Sequence, residues 1–223
     1  MTSYASTLRT LETELNGVES VMRSLDEREW GTPTLLKPVE ESLPRWTVFE
    51  LAGHFDISIG LTRMLIGNQN DGQPGRDRTS FFIFPRAEVA PVVYGYAYTM
   101  VQGKTPAEMP DVLHETFSKT ISESSATPPE TVGSGYYALM RLDEFVTSRV
   151  VEAVVHGMDL TDALGRDMIA TPEGIATTAA ILDDLLARRT VAGRPADLAD
   201  DVAWIRAASG RAPHPDPRLP LIG

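Results

Sequence analysis

Two short segments far apart in the chain carry the residue types from which metal sites are built. His54 lies in LPRWTVFELAGHF, and Glu152 and His156 lie in SRVVEAVVHGMDL. Zinc held by two histidines and one carboxylate keeps a fourth position for water or substrate, whereas structural zinc is usually closed by four protein ligands, mostly cysteines. Because the chain has no cysteine, these residues predict a catalytic metal site rather than a structural one. Iron, nickel and manganese also accept such ligands.

The spacing of polar residues in the second segment predicts a helix with one polar stripe. Four residues follow one another at intervals of 3, 4 and 3: Arg149, Glu152, His156 and Asp159. These intervals place them on one face of a helix. Apolar neighbours predict that this helix is buried, where the polar stripe needs partners. A divalent metal would satisfy Glu152 and His156, and a buried salt bridge between Arg149 and Glu152 is the alternative interpretation.

Two residues of this stripe are candidates for catalytic roles beside the metal. Arg149 could orient Glu152, or it could hold a substrate carboxylate by two parallel hydrogen bonds, and we predict the second role, an anion clamp for an acidic substrate. A purely structural ion pair is the alternative for this arginine. Asp159 lies one turn after His156 and could fix its imidazole, or it could only solvate the end of the helix.

A helix-start signature determines where His54 points. Thr47 and Glu50 form a Thr-x-x-Glu capping box, and Trp46 and Leu51 occupy the positions of a hydrophobic staple. The helix is therefore expected to begin directly after Thr47, with His54 about two turns into it and facing inward. Trp46 is expected in the staple and the core, with a place in the wall of the pocket as the alternative. Two inward histidines on two helices can meet across a bundle.

The remaining apolar periodicity predicts that the rest of the chain is also helical. Before Gly165, helices are predicted over residues 3–29, from Val48 to just before Gly67, from near Ala90 onward, over residues 105–121 and over residues 136–162. Two more are predicted from residue 171 and over 200–208. The predicted fold class is all-α, with a four-helix bundle over residues 1–166. Residues 167–223 are expected to form additional helices and an extended tail packed on the bundle.

The most aromatic segment admits two interpretations. Pro91 is compatible with a helix that starts near Ala90 and places Tyr94 and Tyr98 on one face. Alternation of Tyr94, Tyr96 and Tyr98 could instead indicate a strand. We predict a helix because the bundle needs its third member here. Its tyrosines are expected to pack in the core or to line a substrate cavity, where Tyr94 and Tyr98 could donate hydrogen bonds.

The other two histidines are expected to lie outside the site. His114 shares a helical face with Asp111 and Glu115, which is an alternative metal face. Its other neighbours are polar rather than apolar, so the sequence favours a solvated surface there. His214 lies in a proline-rich tail and is predicted to be an exposed loop histidine.

The motifs around the candidate ligands match a family pattern. They are Trp-Thr followed by the histidine at His54, the run Arg-x-x-Glu-x-x-x-His-x-x-Asp-Leu that begins at Arg149, and Ala-Leu-Gly ending at Gly165. In these motifs the chain resembles the mycothiol-dependent maleylpyruvate isomerase family of actinobacteria, part of the wider DinB-like superfamily of metal-binding four-helix bundles. The tail from Asp200 to Arg211 also looks like the ends of uncharacterised members. The resemblance implies a DinB-like bundle.

The resemblance also implies a site and an activity. Its metal ligands correspond to His54, Glu152 and His156, with a divalent ion, zinc first, and mycothiol as a co-substrate. In the family, the thiol adds to an electrophilic carbon of a small organic acid. Its expulsion after bond rotation gives isomerisation, and its retention gives S-transfer. The isomerase that names the family carries a longer α/β region after the bundle, whereas residues 166–223 follow it here.

Two other functions remain open on these residues. The same ligands could serve a metal-dependent hydrolase or hydratase that uses metal-bound water. The bundle could also be a non-catalytic protein that only binds a metal or another ligand. Dependence of activity on a thiol separates the first alternative from the isomerase or S-transferase.

Composition narrows the partners and the compartment. The net charge of −11 argues against nucleic acid and anionic membrane surfaces as partners. Without cysteine there is no disulfide and no protein thiol, so any thiol that the chemistry needs must be a small molecule. We find no signal sequence and no membrane-spanning stretch. The expectation is a cytoplasmic monomer or homodimer acting on a small thiol and a small organic acid.

Overall fold

The computed structural model describes residues 3–36, 43–135 and 138–222, and these are mostly helical. The helices are α1 Tyr4–Arg23, α2 Val48–Gly67, α3 Arg86–Val101, α4 Met109–Ala126, α5 Leu142–Leu164, α6 Pro172–Arg189 and α7 Asp201–Ala208. Within these residues there are two short strands, β1 Val132–Ser134 and β2 Leu139–Arg141. The predicted all-α class is therefore confirmed. Each described helix is too short or too polar to span a lipid bilayer.

Four helices form a ring around a shared core. α1 contacts α4 and α5 on its two sides, and α2 contacts the same two helices. The inward face of α1 follows the predicted spacing and is buried at Leu8, Leu11, Leu15, Val18 and Met22. Burial of one such side chain contributes about 1.5–3 kcal/mol. In this ring α2 and α5 pack directly against each other. Membership of the protein in the DinB-like superfamily stays a prediction.

The aromatic helix α3 lies outside this ring. It is helical as predicted, but it begins at Arg86 rather than near Ala90 and packs on α2. The expectation that it is the third member of the bundle is wrong. The buried apolar residues of α3 are Ala97 and Val101, too few for a core-facing stripe. α4 takes the place in the ring because it carries such a stripe, at Met109, Leu113 and Phe117.

A β-hairpin precedes the longest helix, which therefore starts later than predicted. α5 begins at Leu142, and the predicted start at Tyr136 lies outside the described residues. β1 and β2 pair antiparallel, with Gly133 opposite Met140. A Cβ atom on Gly133 would lie 2.1 Å from the carbonyl oxygen of Leu65 at the end of α2. Strands of three residues show too little alternation for the sequence to reveal them.

The C-terminal segment packs on the ring through α6. This helix contacts α5 and α1, and α7 contacts α6. The tail then returns to α7, where the N–H of Leu221 donates to the carbonyl of Ala208 at 2.7 Å. The helices predicted from residue 171 and over 200–208 are confirmed. The division into two domains at residue 166 stays a prediction.

A buried carboxylate links α1 to the start of α6. Oε1 of Glu14 accepts the N–H of Thr171 at 2.9 Å and also its hydroxyl. Burial raises the pKa of Glu14 above its ordinary 4.5, although both hydrogen bonds from Thr171 act to lower it. The folded state thus favours the protonated carboxyl. This contribution to stability is complete below the unfolded pKa and is lost as the pH rises through the raised value.

We expect Glu14→Gln to remove this pH dependence. The wild type must bury a charge at neutral pH and the variant does not, so the variant should gain stability relative to wild type between about pH 4 and pH 7. Urea unfolding at the two pH values measures the difference. Glu12→Gln, at an exposed position on the same helix, is the control. A difference between Glu14→Gln and wild type that is equal at both pH values would contradict the assignment.

Candidate metal centre

The start of α2 follows its sequence signature and places His54. The Thr47 hydroxyl accepts the N–H of Phe49 at 3.2 Å, and the Glu50 carboxylate accepts the N–H of Thr47 at 2.8 Å. This capping box fixes the first turn of the helix at Val48. The predicted box is confirmed. Two turns later, His54 is 7% exposed and faces α5.

The three predicted ligands come together between α2 and α5. Nε2 of His54 lies 3.4 Å from Oε2 of Glu152, and Nε2 of His156 lies 3.4 Å from the same oxygen. One ligand atom from each residue lies within 4.8 Å of the other two. Two atoms about 2.0–2.1 Å from a tetrahedral zinc are about 3.3 Å apart. The two nitrogen–oxygen distances are therefore compatible with a metal ion, and the described residues contain no second such group.

Burial and mutual contacts set the charges of this group. Burial lowers the pKa of His54, and the charge of His156 lowers it further. Burial acts to raise the pKa of Glu152, but hydrogen bonds from both histidines and the charge of Arg149 hold it well below its usual value. Hydrogen bonds to Asp159 and Glu152 raise the pKa of His156 against the effect of burial. An ionised Glu152 and a neutral His54 are the forms that bind a metal, whereas His156 would release its second proton when a metal binds.

Asp159 holds His156 by the nitrogen that faces away from Glu152. Nδ1 of His156 donates to Oδ2 of Asp159 at 2.8 Å. Asp159 in turn accepts two hydrogen bonds from Arg211, at 3.0 and 2.7 Å. Although burial acts to raise the pKa of Asp159, the charge of Arg211 and the bond from His156 lower it to about 2. The ionised carboxylate therefore keeps a proton of His156 on Nδ1, which leaves Nε2, on the side of Glu152, as the nitrogen that would bind a metal.

The predicted contact of Asp159 with His156 is thus present, and Arg211 is the partner that sequence reasoning missed. Arg211 lies in the tail segment, 52 residues from Asp159. The one signal in the sequence was the similarity of that tail to the ends of family members, which assigns no contact. The catalytic role predicted for Asp159 remains a prediction.

Arg149 is enclosed in the core beside the centre. Its guanidinium lies over the rings of both Phe81 and Phe145, 4.6 Å from each ring centre. Nη1 donates to the carbonyl of Ser58 at 2.9 Å. Nε and Nη2 donate to the hydroxyl of Ser148 at 3.2 and 3.1 Å. The arginine is 1% exposed, so its charge is stabilised by these protein groups rather than by water.

This environment favours one of the two roles left open for Arg149. Nη2 lies 3.9 Å from Oε1 of Glu152, whereas both histidines approach Oε2. All three guanidinium nitrogens donate to protein atoms. These contacts favour a role of Arg149 in orienting Glu152, which stays a prediction. The role as a substrate clamp stays an untested prediction.

An aromatic row, formed by Trp46, Tyr94 and Tyr98, borders the centre on the side of His54. The Trp46 ring lies 5.1 Å from the ring of His54 and stacks on Tyr94 at 6.0 Å. The Tyr94 hydroxyl donates to the carbonyl of Pro44 at 2.7 Å and lies 3.1 Å from the Tyr98 hydroxyl. Within the described residues, Nε1 of Trp46 and Nδ1 of His54 are buried without a hydrogen-bond partner. Trp46 therefore borders the site as well as the core.

The other two histidines lie away from the centre. His114 is on the surface, as predicted, with Nδ1 3.1 Å from both carboxylate oxygens of Glu19. The prediction for His214 is wrong, because its side chain is only 10% exposed. Its Nε2 lies 3.2 Å from Asp197, and its Nδ1 accepts the N–H of Asp216 at 3.2 Å. The tail folds back along the protein, which encloses this histidine.

Comparison with known proteins identifies no relative of this chain. No family model, curated protein or solved structure matches the chain. Function must therefore be argued from the site itself.

Proposed function

We propose that the chain is a metal-dependent enzyme whose divalent ion, zinc first, is held by His54, Glu152 and His156. The observation that supports this is the distance of 3.4 Å from each imidazole Nε2 to the same carboxylate oxygen. It matches the separation of about 3.3 Å between ligands of a tetrahedral zinc. Three protein ligands leave one position for another molecule, which is typical of catalytic rather than structural sites.

The proposed reaction is that of the family which the chain resembles. A metal at this centre would lower the pKa of a thiol or a water in the remaining position. With no cysteine in the chain, the thiol is a small molecule, and we propose mycothiol. Its thiolate sulfur would bond to a carbon of an unsaturated organic acid, and the π electron pair would move onto the conjugated carbonyl as an enolate. Rotation and expulsion of the thiolate return that electron pair to the double bond in the other geometry, whereas protonation of the enolate carbon gives an S-adduct.

In this proposal each residue of the chain has a defined task. His54, Glu152 and His156 bind the ion, and Asp159 fixes the ring of His156. Arg149 orients Glu152. The aromatic row excludes water on the side of His54. From the net charge of −11 we also propose small molecules rather than nucleic acid or anionic membranes as partners. A cytoplasmic location belongs to the same proposal, because thiols are kept reduced in that compartment.

Thiol-dependent turnover tests the reaction. Zinc-loaded protein with maleylpyruvate and mycothiol should show isomerisation or an S-adduct, and omission of the thiol or chelation of the ion should abolish it. His114→Ala, at the surface histidine, should keep full activity. Thiol-independent hydrolysis of the substrate would contradict the proposal and favour the metal-bound-water alternative. Bound zinc with no turnover of any kind would favour a non-catalytic binding protein.

A further inference from the structure

Arg211 belongs to the C-terminal segment but is connected to a metal ligand through one carboxylate. Its Nε and Nη2 donate to the two oxygens of Asp159, and Asp159 accepts the Nδ1–H of His156. We propose that Arg211 is a positioning residue of the metal centre, acting on His156 through Asp159. The proposal rests on the metal centre proposed above and assigns it a third supporting residue, after Asp159 and Arg149.

Arg211 is itself held in place by the end of α7. Its N–H donates to the carbonyl of Arg206 at 2.7 Å, and Nη1 donates to the carbonyl of Ser209 at 2.6 Å. The side chain is 11% exposed, and that of Asp159 is 3% exposed. Arg211 is thus anchored at its backbone and at its guanidinium. The guanidinium then holds the plane of the Asp159 carboxylate by two parallel hydrogen bonds. The position of Asp159 is therefore determined by the C-terminal segment.

The position of Asp159 in turn determines where His156 directs its metal-binding nitrogen. Oδ2 of Asp159 is 2.8 Å from Nδ1 of His156, and the opposite nitrogen of the ring is 3.4 Å from Glu152. Partners of this kind fix the tautomer and the ring orientation of a ligating histidine, and their loss lowers metal affinity about 10–100-fold. Without Arg211, the carboxylate of Asp159 loses both bonds that fix its plane. The affinity of the centre should fall accordingly.

A second arginine–aspartate pair provides a matched control. Arg206 on α7 donates to both carboxylate oxygens of Asp162 on α5, at 2.5 and 2.8 Å. This pair joins the same two parts of the chain with the same chemistry. Asp162 has no contact with a candidate ligand among the described side-chain bonds. A change that affects docking of the C-terminal segment alone should therefore act equally at both arginines.

Zinc affinity separates the two arginines. Competition with a chromophoric chelator should give a dissociation constant about 10–100-fold higher for Arg211→Met than for wild type. Arg211→Lys should give a smaller increase, because an ammonium keeps the charge but cannot form the bidentate pair. Arg206→Met should bind zinc as wild type does. Equal losses in Arg211→Met and Arg206→Met, or no loss in Arg211→Met, would overturn the proposal.

Histidine side-chain NMR provides a second test, and its first part uses wild type alone, so that part does not depend on the folding of a variant. In zinc-loaded wild type, His156 should carry its proton on Nδ1, with slow solvent exchange, and the metal on Nε2. Arg211→Met should accelerate this exchange and Arg206→Met should not. A metal on Nδ1 of wild-type His156 would overturn the role of Arg211. If wild type binds no zinc, the proposed function itself is contradicted. If wild type binds zinc and Arg211→Met binds it with the same affinity, only the role of Arg211 is contradicted.

Discussion

His156→Ala and Glu152→Ala are each expected to abolish stoichiometric metal binding. Wild type should retain close to one zinc per chain after exhaustive dialysis, because three donor atoms converge at distances that suit one ion. Each substitution leaves two protein ligands, too few to retain the ion against dialysis. Elemental analysis of the three proteins at equal concentration measures the metal content.

The control for this experiment is His114→Ala. His114 is also a helical histidine with a glutamate partner, at 3.1 Å from Glu19, but it lies on the surface away from the centre. This variant should retain zinc as wild type does. A folded wild type that contains no metal and takes up no added zinc would reduce the group to buried ion pairs, and the catalytic proposal would have to be withdrawn.

Thermal unfolding provides a second, independent measurement of zinc binding by wild type and these variants. A ligand that binds only the folded state at 100 times its dissociation constant stabilises it by about 2.7 kcal/mol. Added zinc should therefore raise the midpoint of wild type and of His114→Ala. It should leave the midpoints of His156→Ala and Glu152→Ala unchanged. A similar rise in all four proteins would assign the binding to other residues.

The parts of this site that the sequence could predict are governed by local rules. The capping box joins Thr47 to Glu50, three positions away, so four residues suffice to define it. The polar stripe of α5 follows from helix periodicity, and Asp159 meets His156 within one turn. The pairing of His54 with that stripe crosses from one helix to another. The resemblance to a metal-binding family supported the pairing in advance.

The parts that escaped prediction depend on packing between distant segments. Nothing near Arg211 or Asp159 in the sequence selects one as the partner of the other. Likewise, the segment of α3 was expected to supply the third member of the bundle, whereas its position outside the ring follows from the better apolar stripe of α4. His214 looked exposed because its neighbours are prolines, yet the tail folds back over it. Such contacts are decided by which surfaces remain to be covered once the ring has formed.

Arg149→Met is expected to lower the free energy of unfolding by about 3–5 kcal/mol, because it removes the guanidinium charge beside a mostly buried carboxylate. The arginine is 1% exposed and lies 3.9 Å from Glu152. The substitution also removes the cation–π contacts with Phe81 and Phe145, each worth about 0.5–2 kcal/mol. Methionine keeps the apolar stem, which limits the cavity. Urea unfolding of the metal-free proteins measures the loss.

A double-mutant cycle with Glu152→Gln decides whether Arg149 acts through Glu152. If it does, Arg149→Met should cost less by at least about 1 kcal/mol when residue 152 is already neutral. Equal costs in the two backgrounds would assign the stabilisation to Phe81, Phe145 and the serine contacts instead. Arg149→Lys then separates orientation from a substrate clamp. If Arg149 orients Glu152, the lysine variant should be less stable and bind zinc more weakly, because an ammonium cannot reproduce the planar set of bonds to Ser58 and Ser148. If Arg149 is a substrate clamp, the variant should show a raised KM for the acid with zinc affinity unchanged.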